Sequence, residues 1–245
     1  MIDQIGKSII INKFINLILV ITLLTGVSLT GCNIRRSRQN MNAYTPDHVN
    51  GAPPIKLPEP DQKGFMTLEE TLSIRRSIRR FSDVPLTETE IGQLLWAAQG
   101  VTHPAGLRTA PSAGGLYPLE IFAATPDGFY HYMPGDHQIQ RLFDYDPRPD
   151  LYQAAVQQDS VRQAPLVILI TADFDRTAQK YGEERTPLYV HLEAGHAAQN
   201  ILLQAVALQL GAVPIGAFYE DQLRQSLELS DELTPLYLIP VGHPE

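Results

Sequence analysis

The chain has one cysteine, Cys32, so it cannot close an internal disulfide or supply the thiolate set of an iron–sulfur cluster. Basic residues are in deficit, with 19 Lys and Arg against 27 Asp and Glu. Removing residues 1–31 takes away Lys7, Lys13 and Asp3, leaving 17 basic against 26 acidic, a balance of −9. That balance argues against general nucleic-acid binding, which needs a basic surface to displace counterions. No internal repeat is present. Ser112 has no Gly-x-Ser-x-Gly context for a hydrolase nucleophile. His191, Glu193 and His196 lack the i, i+4 histidine pair of a zincin helix, so no metal site is expected.

What is present begins with an address. Lys7 and Lys13 precede an uncharged apolar stretch, Phe14 to Thr30, followed at once by Gly31-Cys32. A basic region, an apolar core and small residues at the cut describe a secretory signal over 1–31. Leu29-Thr30-Gly31-Cys32 resembles the bacterial lipobox, which implies lipidation of Cys32 and a domain held outside the cytoplasm at the cell envelope. The alternative is an uncleaved helix, for which 17 residues is the short edge of a span. Residues 32–64 are rich in Asn, Pro and Gly without apolar period, and read as a tether reaching on the order of 30 Å.

Residues 65–245 then suffice for one domain with a sizeable core. Thr67-Leu-Glu-Glu70 and Thr87-Glu-Thr-Glu90 are capping boxes, predicting a helix to about Arg76 and a second that stops at Gly100. Residues 119–125 and 128–133 predict a hairpin around Pro126-Asp127, with Phe129, Tyr130 and Tyr132 in its packing. The run 165–171 predicts a central strand. A long helix is expected from about Pro187 to Leu210, then a short strand, an exposed helix and a closing strand. Strands and helices mix without regular βαβ alternation, so the class is α+β.

Three segments carry candidate chemistry. In Arg75-Arg76-Ser77-Ile78-Arg79, guanidinium forks and a hydroxyl suit a phosphate monoester, although a solvated basic face fits the spacing equally well. Pro111-Ser112-Ala113-Gly114-Gly115 and Val213-Pro214-Ile215-Gly216-Ala217 offer small residues that let backbone amides approach a planar ligand.

In order, these segments resemble the FMN-contacting elements of the nitroreductase family over essentially all of 65–245. Leu192-Glu193-Ala194-Gly195-His196-Ala197-Ala198-Gln199-Asn200 resembles the long-helix signature of its SagB-type branch, which contains the azoline dehydrogenases. The resemblance implies a mixed central sheet flanked by helices, and a homodimer with FMN at the subunit interface. It implies Arg75, Arg76, Ser77 and Arg79 on the phosphate and ribityl chain. Pro111, Ser112, Ala113 and Gly114 would line the flavin and the neighbouring subunit, with Gly216 and Ala217 near the flavin N5 edge. Lys180 and Tyr181 resemble the Lys-Tyr pair credited with catalysis in the azoline dehydrogenases; a surface loop is the alternative for them. The implied activity is hydride transfer between FMN and a small-molecule or peptide substrate, with membrane contact through the lipid alone. The rivals are an NAD(P)H-dependent nitro or quinone reductase and a non-catalytic lipoprotein binding module.

Overall fold

A computed structural model describes residues 52–245. The expected signal segment, Cys32 and the tether up to residue 51 lie outside the described residues. From 52 to 64 the chain departs from a free tether. Ile55–Lys56 forms β1, paired to a later strand, and Leu57 is buried in the core with its N–H on the His137 carbonyl. Two further ties fix this stretch: His137 Nε2 lies 2.9 Å from the Pro58 carbonyl, and the Asp61 N–H donates to Gln93 Oε1.

Helix α1 (Leu68–Ile74) starts on a complete capping box. Thr67 Oγ1 accepts from the Glu70 N–H, and Glu70 Oε2 accepts from the Thr67 N–H. The helix ends at Ile74 because Arg75 turns extended, two residues before Ser77 joins a strand. Helix α2 (Glu88–Gln99) has the same box at Thr87 and Glu90. Gly100 stops it in ordinary extended conformation, so the glycine serves close approach: a Cβ there would run into the Trp96 ring.

The sheet strands are β2 (Leu119–Thr125), β3 (Gly128–Met133), β4 (Gln138–Phe143), β5 (Leu166–Asp173), β6 (Gly211–Ala212) and β7 (Leu233–Gly242), in the order β1-β4-β3-β2-β5-β7-β6. The pairings between these strands are antiparallel; the parallel contribution is a single bridge from Ser77 to Ala212. β2 and β3 form the expected hairpin, with Phe129, Tyr130 and Tyr132 buried. β5 lies between β2 and β7, and its alternation serves two cores. Leu166, Ile168, Ile170 and Ala172 enter one cluster, and Val167 and Leu169 the other. A register shift beside Ile170 and Thr171 lets β7 carry Pro235 inside the sheet.

Two layers of helix cover the sheet. On one face lie α2 and the long α6 (Thr186–Ala207), whose inward stripe is Val190, Glu193, Ala194, Ala197, Ala198, Ile201, Leu202 and Ala205. On the other, α3 (Arg148–Ala154), α4 (Asp159–Gln163) and α7 (Glu220–Ser226) contribute Leu151, Val161 and Leu223 to the second cluster. Helix α5 (Phe174–Tyr181) follows β5 directly and packs on α6.

Candidate active site

The first and third segments converge at one sheet edge. Ser77 bridges to Ala212, and the Ile78 N–H donates to the Ala212 carbonyl at 3.0 Å. Gly211 permits this, because a Cβ there would stand 2.7 Å from the Ile78 side chain. Past β6 the chain runs through Gly216 and Ala217, whose carbonyl accepts from Gln158 Nε2 at 3.1 Å. Gln158 also lines a cavity of about 300 Å³ with Arg79 and Arg80. Arg76 is partly committed: its Nη1 donates to the Ser73 and Arg75 carbonyls at the end of α1. Arg75 and Arg79 make no ion pair among the described residues.

The second segment folds as one 3₁₀ turn, Ala113–Gly115, with Gly114 at φ 65° and Gly115 at φ 66°, a backbone that suits glycine. Ser112 Oγ accepts the Tyr117 N–H at 2.8 Å and closes the turn. Lys180 and Tyr181 are not in a loop. They form the last turn of α5, and they lie against this segment: a Cβ on Gly114 would stand 2.7 Å from Lys180 Nζ and 3.0 Å from the Tyr181 hydroxyl. Lys180 Nζ sits 5.5 Å from the Tyr181 ring centroid, and Tyr181 packs on Tyr189.

A buried polar cluster ties α5 to the turn. The Asp173 N–H donates to the Pro118 carbonyl, while Asp173 Oδ1 caps α5 through the Arg176 N–H. Arg176 donates from Nη1 to the Tyr117 carbonyl at 2.7 Å and from Nη2 to Glu120 Oε1 at 2.9 Å. Glu120 Oε2 meets His131 Nε2 at 2.8 Å. Burial opposes the Glu120 charge, but His131 and Arg176 outweigh it and hold the carboxyl below its ordinary range. Arg108 donates to Gln99 Oε1 and lies over the Tyr117 ring, 4.5 Å from its centroid; burial depresses its pKa.

Glu193 completes the cluster from α6 at 3% exposure. Burial pushes its carboxyl up to about 7, against the opposing pull of the Ser112 hydroxyl, Arg108, the Gln99 amide and Arg176. His191 and His196 stay on the exposed side of α6, so the three do not converge. Asn200 donates to the Thr109 carbonyl at 3.4 Å, bracing the helix against the start of the loop.

Sequence reasoning did not single out Glu120, Arg108, Arg176 or Glu193 as site residues. The available signal was a charge inside an apolar pattern: Glu120 opens the strand run Leu-Glu-Ile-Phe-Ala-Ala-Thr, and Glu193 falls in the inward stripe of a helix.

The cradle suits a planar, phosphorylated cofactor. Among the described residues the Arg75 and Arg79 guanidiniums make no ion pair, and a Cβ on Gly216 would meet nothing within 4 Å, so packing among those residues does not demand that glycine. These features and this fold define a flavin-dependent oxidoreductase. Residues 72–243 match the nitroreductase family. A nitroreductase-family protein of Methanocaldococcus jannaschii is 42% identical over 194 residues, 77% of this chain and 95% of that protein. The crystal structure of a nitroreductase-family protein from Ralstonia eutropha superposes with a TM-score of 0.72 at 31% identity, over 82% of this chain and 99% of that one. The NADPH-flavin oxidoreductase of Vibrio harveyi is 28% identical over 184 residues, 72% of this chain and 65% of that protein. The chain belongs to the nitroreductase family, whose members use FMN and are typically homodimers acting on small molecules.

Proposed function

We propose that this protein is an exported, lipid-anchored FMN-dependent dehydrogenase of the SagB-type branch, which oxidises a small-molecule or peptide substrate. The observation that carries the reading is Lys180 and Tyr181 against Gly114, a turn of small residues suited to a flavin face. FMN, when bound, supplies a site that takes up a hydride. Arg75 and Arg79 would hold its phosphate by charge-assisted bonds, with the Ser77 hydroxyl contributing beside them. Gly216 and Ala217 leave room for the ring. Lys180 and Tyr181 accept and relay the proton that the substrate loses as its hydride departs.

The two halves of the cradle lie on different parts of the chain: Arg75–Arg79 with Gly216 at one sheet edge, Pro111–Gly114 with Lys180 at the end of α5. A homodimer that joins one half to the other from a second copy accounts for this. Exposed Leu68 and Leu72 on α1 and Leu188 and Leu192 on α6 are its apolar contact surface.

Anaerobic mixing of purified yellow protein with candidate donors tests the reading. Bleaching that is lost in Lys180→Ala and Tyr181→Phe supports it. Rapid bleaching by NADPH that survives both substitutions replaces it with an NAD(P)H-dependent nitro or quinone reductase. A colourless protein that FMN cannot reconstitute leaves a binding module. For the anchor, Cys32→Ser should abolish lipidation and membrane partition; unchanged partition would refute it.

A further inference from the structure

Glu193 is a buried carboxylate without the partners such a group usually has. Its Oε1 makes no hydrogen bond among the described residues. The cations nearby are engaged elsewhere: Arg108 with Gln99 and the Tyr117 ring, Arg176 with the Tyr117 carbonyl and Glu120. A core position of this size would ordinarily hold an apolar side chain, because unpaired buried charge is costly. Two uncharged donors lie within reach, the Ser112 hydroxyl and the Gln99 amide, whose Nε2 has no hydrogen-bond partner among the described residues. Of the two, Ser112 belongs to the turn that meets Lys180 and Tyr181. Helix α6 packs directly on the 3₁₀ turn that follows Ser112.

Ser112 has one hydroxyl proton, and its oxygen already accepts the Tyr117 N–H. An ionised Glu193 can only accept, so it draws that proton toward α6 and leaves the oxygen lone pairs facing Tyr117. A protonated Glu193 can donate to the second lone pair of the same oxygen, which turns the hydroxyl proton off α6. An oxygen that accepts twice is a weaker acceptor for Tyr117 than one whose proton is given to a carboxylate. We infer that Glu193 is a positioning residue for the Pro111–Gly115 turn, acting through Ser112 to set where Gly114 meets Lys180 and Tyr181. The geometry belongs to this chain alone; its effect on turnover rests on the flavin reading above.

The inference carries a pH dependence. The charged or titratable groups facing Glu193 are Arg108 from the loop before the turn and Arg176 from α5. Behind them stand the Tyr117 phenol and the Glu120–His131 pair, while α2 presents the uncharged Gln99. His191 and His196 of α6 point away. With its carboxyl raised to about 7, Glu193 is the acid in this group that changes charge near neutrality.

The test is amide hydrogen exchange at Tyr117, measured from pH 6 to 8 without added flavin and corrected for the intrinsic rate. In the wild-type chain, protection should rise with pH through a midpoint near 7, by about fivefold, the shift expected of one ordinary hydrogen bond. Glu193→Gln should flatten the profile, and Ser112→Ala should lower protection at every pH. A flat wild-type profile, or the same transition in Glu193→Gln, would overturn the inference. FMN titration of the same samples reports separately on cofactor binding, so failure of the flavin reading is distinguishable from failure of this one. On loaded protein, Glu193→Gln should lower kcat with little change in KM, and Glu193→Asp should restore part of it.

Discussion

Gly114 and Gly115 provide a built-in control for one another. Both hold left-handed backbone, φ 65° and 66°, so replacing either with alanine adds about 1–2 kcal/mol of backbone strain. They differ in surroundings. A Cβ on Gly115 meets nothing within 4 Å, whereas one on Gly114 stands 2.7 Å from Lys180 Nζ and 3.0 Å from the Tyr181 hydroxyl. Lys180 Nζ is the end of a flexible side chain and can swing away, so the added steric cost should stay below about 1 kcal/mol. Urea denaturation should therefore find the two variants within about 1 kcal/mol of each other. Activity should separate them. Gly114→Ala displaces the proton-handling pair and should lower substrate-driven flavin reduction by about 10²-fold or more, the usual scale of general acid–base catalysis. Gly115→Ala should stay within a few-fold of wild type. In a Lys180→Ala background, Gly114→Ala should add little, because the group it displaces is already gone. Full turnover in Gly114→Ala, or equal losses in both variants, would refute the assignment of Lys180 and Tyr181 to the site.

Two further outcomes follow from the site's charges. Arg75→Ala should weaken FMN binding by about one to two powers of ten, since a charge-assisted contact contributes roughly 1.5–3 kcal/mol; unchanged affinity by fluorescence titration would remove Arg75 from the phosphate site. Glu193 has a carboxyl raised from 4.5 to about 7 in the fold, so the folded chain holds this proton more tightly than the unfolded chain does. Its contribution is near zero below about pH 4.5 and grows more unfavourable as pH rises from there to 7, where only the unfolded chain ionises. Above 7 it levels off at up to about 3 kcal/mol. Glu193→Gln should accordingly gain stability relative to wild type as pH rises from 5 to 7 and hold that gain to pH 8, and a pH-independent difference in denaturation midpoint would contradict this.

The parts of the fold that were legible in the sequence are those decided locally. Each capping box is contained in four residues, and β5 is an uninterrupted apolar run. β4 was not legible, because Gln-Ile-Gln-Arg-Leu-Phe has too few apolar residues to announce a strand and depends on β3 beside it. Helices α3 and α4 lack side-chain caps and exist because Leu151 and Val161 pack under the sheet. Ile55 and Lys56 are exposed, so composition alone suggested tether; pairing with β4 and burial of Leu57 make it part of the domain. In the site, the small-residue and arginine segments could be read from family likeness. The buried cluster could not, since Glu193 meets Ser112, and Arg176 meets Glu120, across long stretches of chain.

The pairing of Ser77 with Ala212, and of the Ser82 N–H with the His243 carbonyl, has a consequence in time. The arginine segment leaves the ribosome well before the strand edge it docks on, which lies more than 130 residues further along the chain. Until then the segment has no template, and closing so large a loop is the slow, entropically costly kind of contact. The phosphate cradle is thus completed only when the sheet's far edge arrives. Cofactor loading must therefore wait until β6 and β7 have been made.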